Sequence, residues 1–530
     1  MSPSHLQPSV ILVADRTLSG RYRVLFEGIF ATMQTTQVPE ALMRHFLTPQ
    51  VSTDAQGRAR TAALGLRRIE SSLRADAGLK PDDVVCTTPE RISDLLGPWV
   101  RLVLFSSSDP LGRGMSNTTT SSFWKGETYT RRWTRELLLQ LKAAKQRHPF
   151  KVVLGGAGAW QCAAYPEHAC DLGIDVIYDG YFEEAGPELI LDLLEDKATS
   201  SHITAAGTGI ERVRPICRAS MMGIIELSRG CGRGCRFCSM SRQAMKHLAP
   251  DLILADLETN LSAGVRAVVS GSEDFFRYGG AGVRPNFEAL RNLLEQMQKL
   301  RGLSFMQIDH ANVTSVLQLA DDQLLEIRRL LSWEQSTRYL WVNMGVESAN
   351  GLLVTANSPG KVAPYHPEDW EDMVREAVAR MNRTGFFPVI SVILGLPGEQ
   401  PADVAATLKL VQKISRQDVV VFPIFYEPIL PQEIQARQRF SLETMRPDHL
   451  ELYRACYEIN FKRVPKLFWD NQRAGGVPWL KRAVLQAMGR AEILNWRMTF
   501  RRMAKQLQSP AVCTASDADP WKNTQRRASL

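Results

Sequence analysis

The chain has 530 residues, more than one hydrophobic core usually serves, so two or three domains are expected. Hydrophobic residues at 44% and charged residues at 23% exclude a wholly disordered chain, and no run of about 18 apolar residues offers a membrane span. The net charge of +8 leaves nucleic acid, a membrane surface or an anionic substrate open as partners.

The first residues, Met1 to Pro8, lack a charged segment followed by an apolar run, and a cytoplasmic location is the expectation. From Val10 to Leu194, short apolar runs (Val10–Ala14, Val100–Phe105, Val152–Leu154, Val176–Tyr178) alternate with helical stretches such as Arg131–Lys145 and Phe182–Leu194. Buried strands alternating with helices predict an α/β domain with a doubly wound, Rossmann-like parallel sheet over about 1–205. The polar stretch from Glu195 to Arg218 reads as a linker.

A second βα series runs over about 215–430. Strands are expected at Gly223–Leu227, Ala267–Ser270, Ser304–Ile308, Tyr339–Met344, Val389–Leu394 and Val419–Phe425. Helices fall between them, at Asp251–Leu261, Phe287–Leu300, Asp321–Leu331, Glu368–Met381 and Ala402–Ile414. Six strands with right-handed crossovers predict a partial or full TIM-type (β/α)6 barrel whose strand-end loops converge on one face. Residues 431–508 read as a helical C-terminal region, and 509–530 as a disordered tail. Between Arg454 and Lys505 there are twelve Lys/Arg against three acidic residues, interleaved with Phe461, Phe468, Trp469, Trp479, Trp496 and Phe500. A nucleic-acid footprint would look like this, but so would a helical cap with a basic polar face, and the cap is favoured because no nucleic-acid-binding motif accompanies the charge.

The most informative residues are Cys231, Cys235 and Cys238, three thiols at the spacing C-x3-C-x2-C on a Gly-rich loop after the first barrel strand. Three thiolates can bind three irons of a [4Fe-4S] cluster and leave the fourth open. Structural zinc is the alternative, but it takes four ligands, and His247, nine residues on, is the nearest further candidate. The other cysteines (Cys86, Cys162, Cys170, Cys217, Cys456, Cys513) are scattered, which suits a reducing compartment with one metal site.

This loop, with Phe237 ahead of the last Cys, resembles the radical S-adenosylmethionine (SAM) superfamily over about Gly223 to Pro428. The resemblance implies a [4Fe-4S] cluster on the three cysteines and SAM on its open iron, cleaved by one electron to a 5′-deoxyadenosyl radical. It further implies cofactor contacts at Phe237, at Gly271, Ser272 and Glu273 after the second strand, at Glu347 and Ser348 after the fourth, and at Gly395 after the fifth. Ser272 replaces a family glycine, which leaves open whether Glu273 or Asp274 faces the cofactor. The N-terminal region resembles the cobalamin-binding domain of one branch of that superfamily, which implies corrin contacts at Ser106, Gly155, Gly156, Trp160 and Gly180. Where cobalt-coordinating relatives carry His in Asp-x-His-x-x-Gly, this chain has Thr17, so no histidine ligand is expected from that position. Asp309, His310 and Asn312, ending the third barrel strand, are candidate substrate or cobalamin contacts.

The leading expectation is a cobalamin-dependent methyltransferase acting on an unactivated carbon of a small-molecule or peptide substrate, with an external one-electron donor such as flavodoxin or ferredoxin. The alternatives are a radical SAM cyclase or rearrangement enzyme without methyl transfer, an RNA-modifying enzyme, and a non-enzymatic electron-transfer or sensor protein. Methylthiotransferases acting on transfer RNA carry a second cluster in the N-terminal domain, and Cys86, Cys162 and Cys170 are not obviously arranged for one.

Overall fold

Short runs of branched and aromatic residues build the first sheet. In the computed structural model, which describes residues 6–332 and 340–508, they are β1 (Val10–Ala14), β2 (Val84–Cys86), β3 (Leu102–Ser106), β4 (Lys151–Gly155), β5 (Val176–Asp179) and β6 (His202–Thr204). All are parallel, in the order β2-β1-β3-β4-β5-β6. The runs do not alternate with polar residues because both faces are covered. Ile11, Val13, Val103, Phe105 and Leu154 pack with Leu137, Leu138 and Leu141 of helix Tyr129–Ala144, while Val10, Leu12, Leu102 and Leu104 pack with Leu66, Leu73, Leu189 and Ile190 on the other side. The expected doubly wound domain is present. Two strands escaped the sequence reading: β2, only three residues long, and β6, also three residues long, which lies inside the stretch read as a linker and pairs with β5.

The second unit contains β7 (Ile224–Glu226), β8 (Ser228–Arg229), β9 (Lys246–His247), β10 (Ala267–Gly271), β11 (Phe305–Gln307), β12 (His310–Ala311), β13 (Leu340–Glu347), β14 (Phe386–Leu394) and β15 (Val420–Phe425). Its parallel strands form two sheets, β11-β10-β7 and β12-β13-β14-β15. β11 and β12 are one βα unit interrupted at Ile308 and Asp309, where the Gln307 carboxamide donates to the carbonyls of Ile308 (2.7 Å) and Trp341 (2.5 Å). Six βα units therefore stand in an open arc, and the full barrel allowed by the sequence does not close. β8 and β9 pair antiparallel and pinch off the loop between them, which carries the three cysteines.

The C-terminal helices, Pro447–Ala474 and Trp479–Gln508, brace this arc; the Asn460 side chain donates to the Val421 carbonyl (2.7 Å) and accepts from its N–H (2.9 Å). Trp496 and Phe500 are buried against Phe123, Tyr453 and Tyr457, so the aromatic residues of the basic region are largely core. Only Trp479 among the six is strongly exposed. Among the described residues the region is a pair of long helices packed on the arc, with Trp479 its one strongly exposed ring. Among the described residues no helix is long and apolar enough to cross a membrane. The expected tail, 509–530, lies outside the described residues.

The two α/β units face each other. Phe26 stacks on Trp341 (ring centroids 4.3 Å apart), and the Phe425 N–H donates to Thr119 Oγ1 (2.8 Å), joining helix Met115–Phe123 to the end of β15. The C-terminal edge of the first sheet thus meets the arc near its strand ends, where α/β folds hold ligands.

Candidate active site at the domain seam

The cysteine loop turns tightly because Gly230, Gly232 and Gly234 adopt left-handed φ values of 73°, 70° and 69°. A Cβ on Gly230 would lie 2.7 Å from two backbone oxygens. Hydrogen bonds pin the loop: the Cys231 N–H donates to the Gln243 carbonyl (3.0 Å), and Ser241 Oγ donates to the carbonyls of Cys235 (2.7 Å) and Cys238 (2.8 Å). Arg277 donates to the Cys231 carbonyl (2.5 Å), and buried Arg233 reaches across to the carbonyls of Gly360 (2.9 Å) and Ala363 (3.1 Å). The three thiols lie within electrostatic range of one another, and burial pushes Cys231 up and Cys238 up to about 12. Cys231 and Cys238 would be neutral without a metal and would lose their protons on binding one.

Among the described residues no three His, Cys, Asp or Glu side chains converge as the ligands of a single ion do. A cluster with irons at separate corners takes thiolates that are spread apart, and the donor set of three Cys on one loop fits it. Cys86 and Cys162 pack on opposite faces of the first sheet, so they cannot share a second cluster. Cys513 lies outside the described residues.

Glu273 and Asp274 separate clearly. Asp274 is fully buried and engaged by the scaffold, accepting from Ser315 Oγ (2.5 Å) and the Asn312 N–H (3.3 Å), with Arg233 at 3.5 Å and Arg277 at 3.7 Å. Glu273 faces Cys238 and His310 instead, and burial pushes its carboxyl up. Gly271 ends β10, and Ser272 Oγ lies 2.6 Å from Ser228 Oγ, joining two strand ends. Phe237 is buried in the hydrophobic core. Glu347 ends β13 with φ 65°, rare for a residue with a side chain, and is ion-paired with buried Lys361. Burial opposes the Lys361 charge, but Glu347 and the nearby Cys235 and Cys231 raise it above the ordinary lysine range. Ser348 is used locally, accepting from the Asn350 N–H (3.2 Å), and Gly395 sits at φ 79° under the Phe440 ring, 2.4 Å from where a Cβ would stand.

Asp309 and His310 sit together at the broken third strand, Oδ1 3.1 Å from Nδ1. The His310 side chain is 45% exposed. Burial disfavours its imidazolium, but Asp309 and Glu273 outweigh that and raise it to about 9. Replacing Asp309 by Asn is therefore expected to lower the His310 midpoint by at least about one unit, read by NMR titration of the ring; an unchanged midpoint would refute the pairing. Asn312 departs from the expectation of a cavity contact: its side-chain oxygen accepts from the N–H (3.0 Å) and hydroxyl (2.8 Å) of Thr314 and caps helix Val313–Leu317.

Between the two units lies a cavity of about 1300 Å³. Ser106, Gly155, Gly156, Trp160 and Gly180, which sequence separates by up to 74 positions, all line it at the C-terminal edge of the first sheet. The opposite wall includes Arg229, Ser239 and Gln243 from the segment carrying the cysteines. The volume exceeds the roughly 300–1,000 Å³ of ordinary small-ligand pockets, so the space admits a large ligand. Thr17 is buried beneath it, hydrogen-bonded to Asp15, and is not part of the lining. Sequence reasoning missed Lys361, Arg233, Arg277 and the cavity wall at 202–212, none of which carries a local motif.

An open βα arc with a three-cysteine loop on its first strand end, facing a doubly wound sheet across a large cavity, defines a two-domain α/β fold with a radical SAM-type loop. Residues 225–411 match the family described as the Radical SAM superfamily. The ribosomal protein uS12 methylthiotransferase RimO of Leptospira biflexa is 26% identical over 257 residues, covering 45% of this chain and 46% of the relative. A tRNA-2-methylthio-N(6)-dimethylallyladenosine synthase of Natranaerobius thermophilus is 20% identical over 292 residues, covering 53% and 60%. The chain thus spans about half the length of the curated relatives it matches. Among solved structures, the radical S-adenosylmethionine methyltransferase TsrM of Kitasatospora setae, with tryptophan and a SAM analogue bound, superposes with a TM-score of 0.51 at 14% identity, over 79% of this chain and 75% of TsrM. A second TsrM structure, with cobalamin and a [4Fe-4S] cluster bound, gives the same score over 81% and 78%. The likeness establishes a shared fold that extends across both α/β units.

Proposed function

We propose that this chain is a cobalamin-dependent radical SAM methyltransferase acting on an unactivated carbon of a small-molecule or peptide substrate. The observation that carries the reading is the cavity, which brings the glycine-rich edge of the first sheet to the wall formed by the cysteine-bearing segment. Cys231, Cys235 and Cys238 would hold the cluster, and Glu273, within electrostatic range of Cys238 just past the end of β10, would accept the ammonium of SAM. Glu347 and Lys361 add a buried charged pair on the far side of the same loop. Ser106, Gly155, Gly156 and Gly180 leave the backbone open to a corrin, and Trp160 borders the same space. Bound together, these cofactors would supply a carbon-centred radical and a transferable methyl group; the protein orients them and keeps water from quenching the reaction. Asp309 and His310, which stand outside the lining of that cavity, would hold a proton or a polar substrate group, with His310 cationic at neutral pH.

An RNA or ribosomal-protein substrate, as the names of the curated relatives suggest for those proteins, is less well supported. Cys86 and Cys162 cannot meet in one cluster, and the aromatic residues of the basic C-terminal region are mostly packed away. The test is anaerobic reconstitution with iron, sulfide and hydroxocobalamin. One corrin per chain, retained through gel filtration, is expected; a protein that loads its cluster but retains no corrin would refute the cobalamin-dependent reading.

A further inference from the structure

The turn from Asp179 to Glu183 lies against the cysteine loop as well as the cavity. Tyr181 lines the cavity, and its hydroxyl accepts a hydrogen bond from the Gly230 N–H (3.3 Å), the residue immediately ahead of Cys231. The Arg229 guanidinium lies 4.5 Å from the centre of the Tyr181 ring. Arg229 donates in bidentate fashion to Glu183 (2.8 and 2.9 Å) and to Glu226 (2.9 and 3.0 Å), and also to the Thr208 carbonyl (2.8 Å). Arg229 and Glu183 are both about 97–98% buried, so this ion pair crosses the domain seam out of water. The Gln243 carboxamide donates to the carbonyls of Ala206 (3.0 Å) and Gly207 (3.1 Å), while its own carbonyl accepts from the Cys231 N–H (3.0 Å). Both ends of the cysteine loop are therefore tied to the segment that walls the cavity.

We infer that Tyr181, Glu183 and Arg229 form a positioning unit that couples occupancy of the cavity to the conformation of the cysteine loop, so that the corrin and SAM bind cooperatively. This rests on the functional reading above. A ligand in the cavity touches Tyr181 and fixes its hydroxyl, and the hydroxyl fixes Gly230, whose φ of 73° sets the direction in which Cys231 leaves β8. By linkage, a loop held in its cluster-bound form with SAM must strengthen corrin binding by the same factor that corrin strengthens SAM binding.

The experiment uses the full chain, reconstituted anaerobically with its cluster. Hydroxocobalamin is titrated with and without saturating SAM, and the ratio of the two dissociation constants is the coupling factor. A factor of about 5 to 150 is expected for the unaltered chain. Tyr181→Phe, which keeps the ring under Arg229 and removes only the hydroxyl, and Glu183→Gln, which weakens the seam ion pair, are each expected to bring the factor toward one while iron and sulfide content stays full. A merely structural role would change both dissociation constants together and leave their ratio intact. Unchanged coupling in both variants, or no coupling in the unaltered chain, overturns the inference while corrin binding itself still stands. Absence of corrin binding in the unaltered chain instead overturns the functional reading, and this inference with it.

Discussion

Replacing any one of Cys231, Cys235 or Cys238 with Ala is expected to abolish the cluster and reduce SAM cleavage to background. Loss of an outer-shell partner costs a metal site about 10- to 100-fold, and loss of a ligand from a three-ligand set costs more. The fold should survive, because the loop is held by contacts independent of the thiols: Arg277 on the Cys231 carbonyl, Ser241 on the carbonyls of Cys235 and Cys238, and Arg233 across to Gly360 and Ala363. Iron and sulfide analysis with far-ultraviolet circular dichroism checks both halves. Replacing Cys86 or Cys162 should leave iron content unchanged, since each is buried in a core of the first sheet, apart from the cluster that holds Cys235 and Phe237. Iron lost from one of these variants with its fold intact would mean the site is not the one described.

The second large effect is expected at Gly156. Its φ of 93° is strained for any residue with a side chain, and a Cβ there would meet Ser106 Oγ at 2.7 Å and the Ser107 carbonyl at 2.9 Å. Two of those three residues line the cavity, so relief of the clash must move its wall. Gly156→Val is expected to lower corrin affinity by about tenfold or more, from about 1–3 kcal/mol of backbone strain plus lost space. Iron content should be unaffected, because Gly156 stands on the opposite domain from the cysteines. Equal loss of iron and corrin would indicate general unfolding and refute a local role.

The strand series and the cysteine loop were legible because their signals are local: an apolar run bounded by polar residues, or three thiols within eight positions. All six barrel-strand expectations meet a strand in the structure. β6 was illegible because it is three residues long and offers one half-buried apolar residue, Ile203, between exposed His202 and Thr204; pairing with β5 is what holds it. The choice between Glu273 and Asp274 could not be made from spacing, since it depends on Arg233 and Ser315, which approach Asp274 from other parts of the chain, together with Arg277 three residues on. Asn312 was read as a cavity group although Asn before a short helix is also a capping signal, and the cap won. Lys361 belongs to no strand end at all; it reaches the loop only because Gly360 and Ala363 are bound by Arg233 from within the cysteine motif. Long-range polar contacts of this kind leave no periodicity to read.

The most direct measurement of the central claim is product analysis after anaerobic incubation of the corrin-loaded, cluster-loaded chain with SAM and dithionite. Both 5′-deoxyadenosine and S-adenosylhomocysteine are expected, the first from radical cleavage at the cluster and the second from methyl transfer to the corrin across the seam. Formation of 5′-deoxyadenosine with no S-adenosylhomocysteine, in protein that carries one corrin per chain, would contradict it.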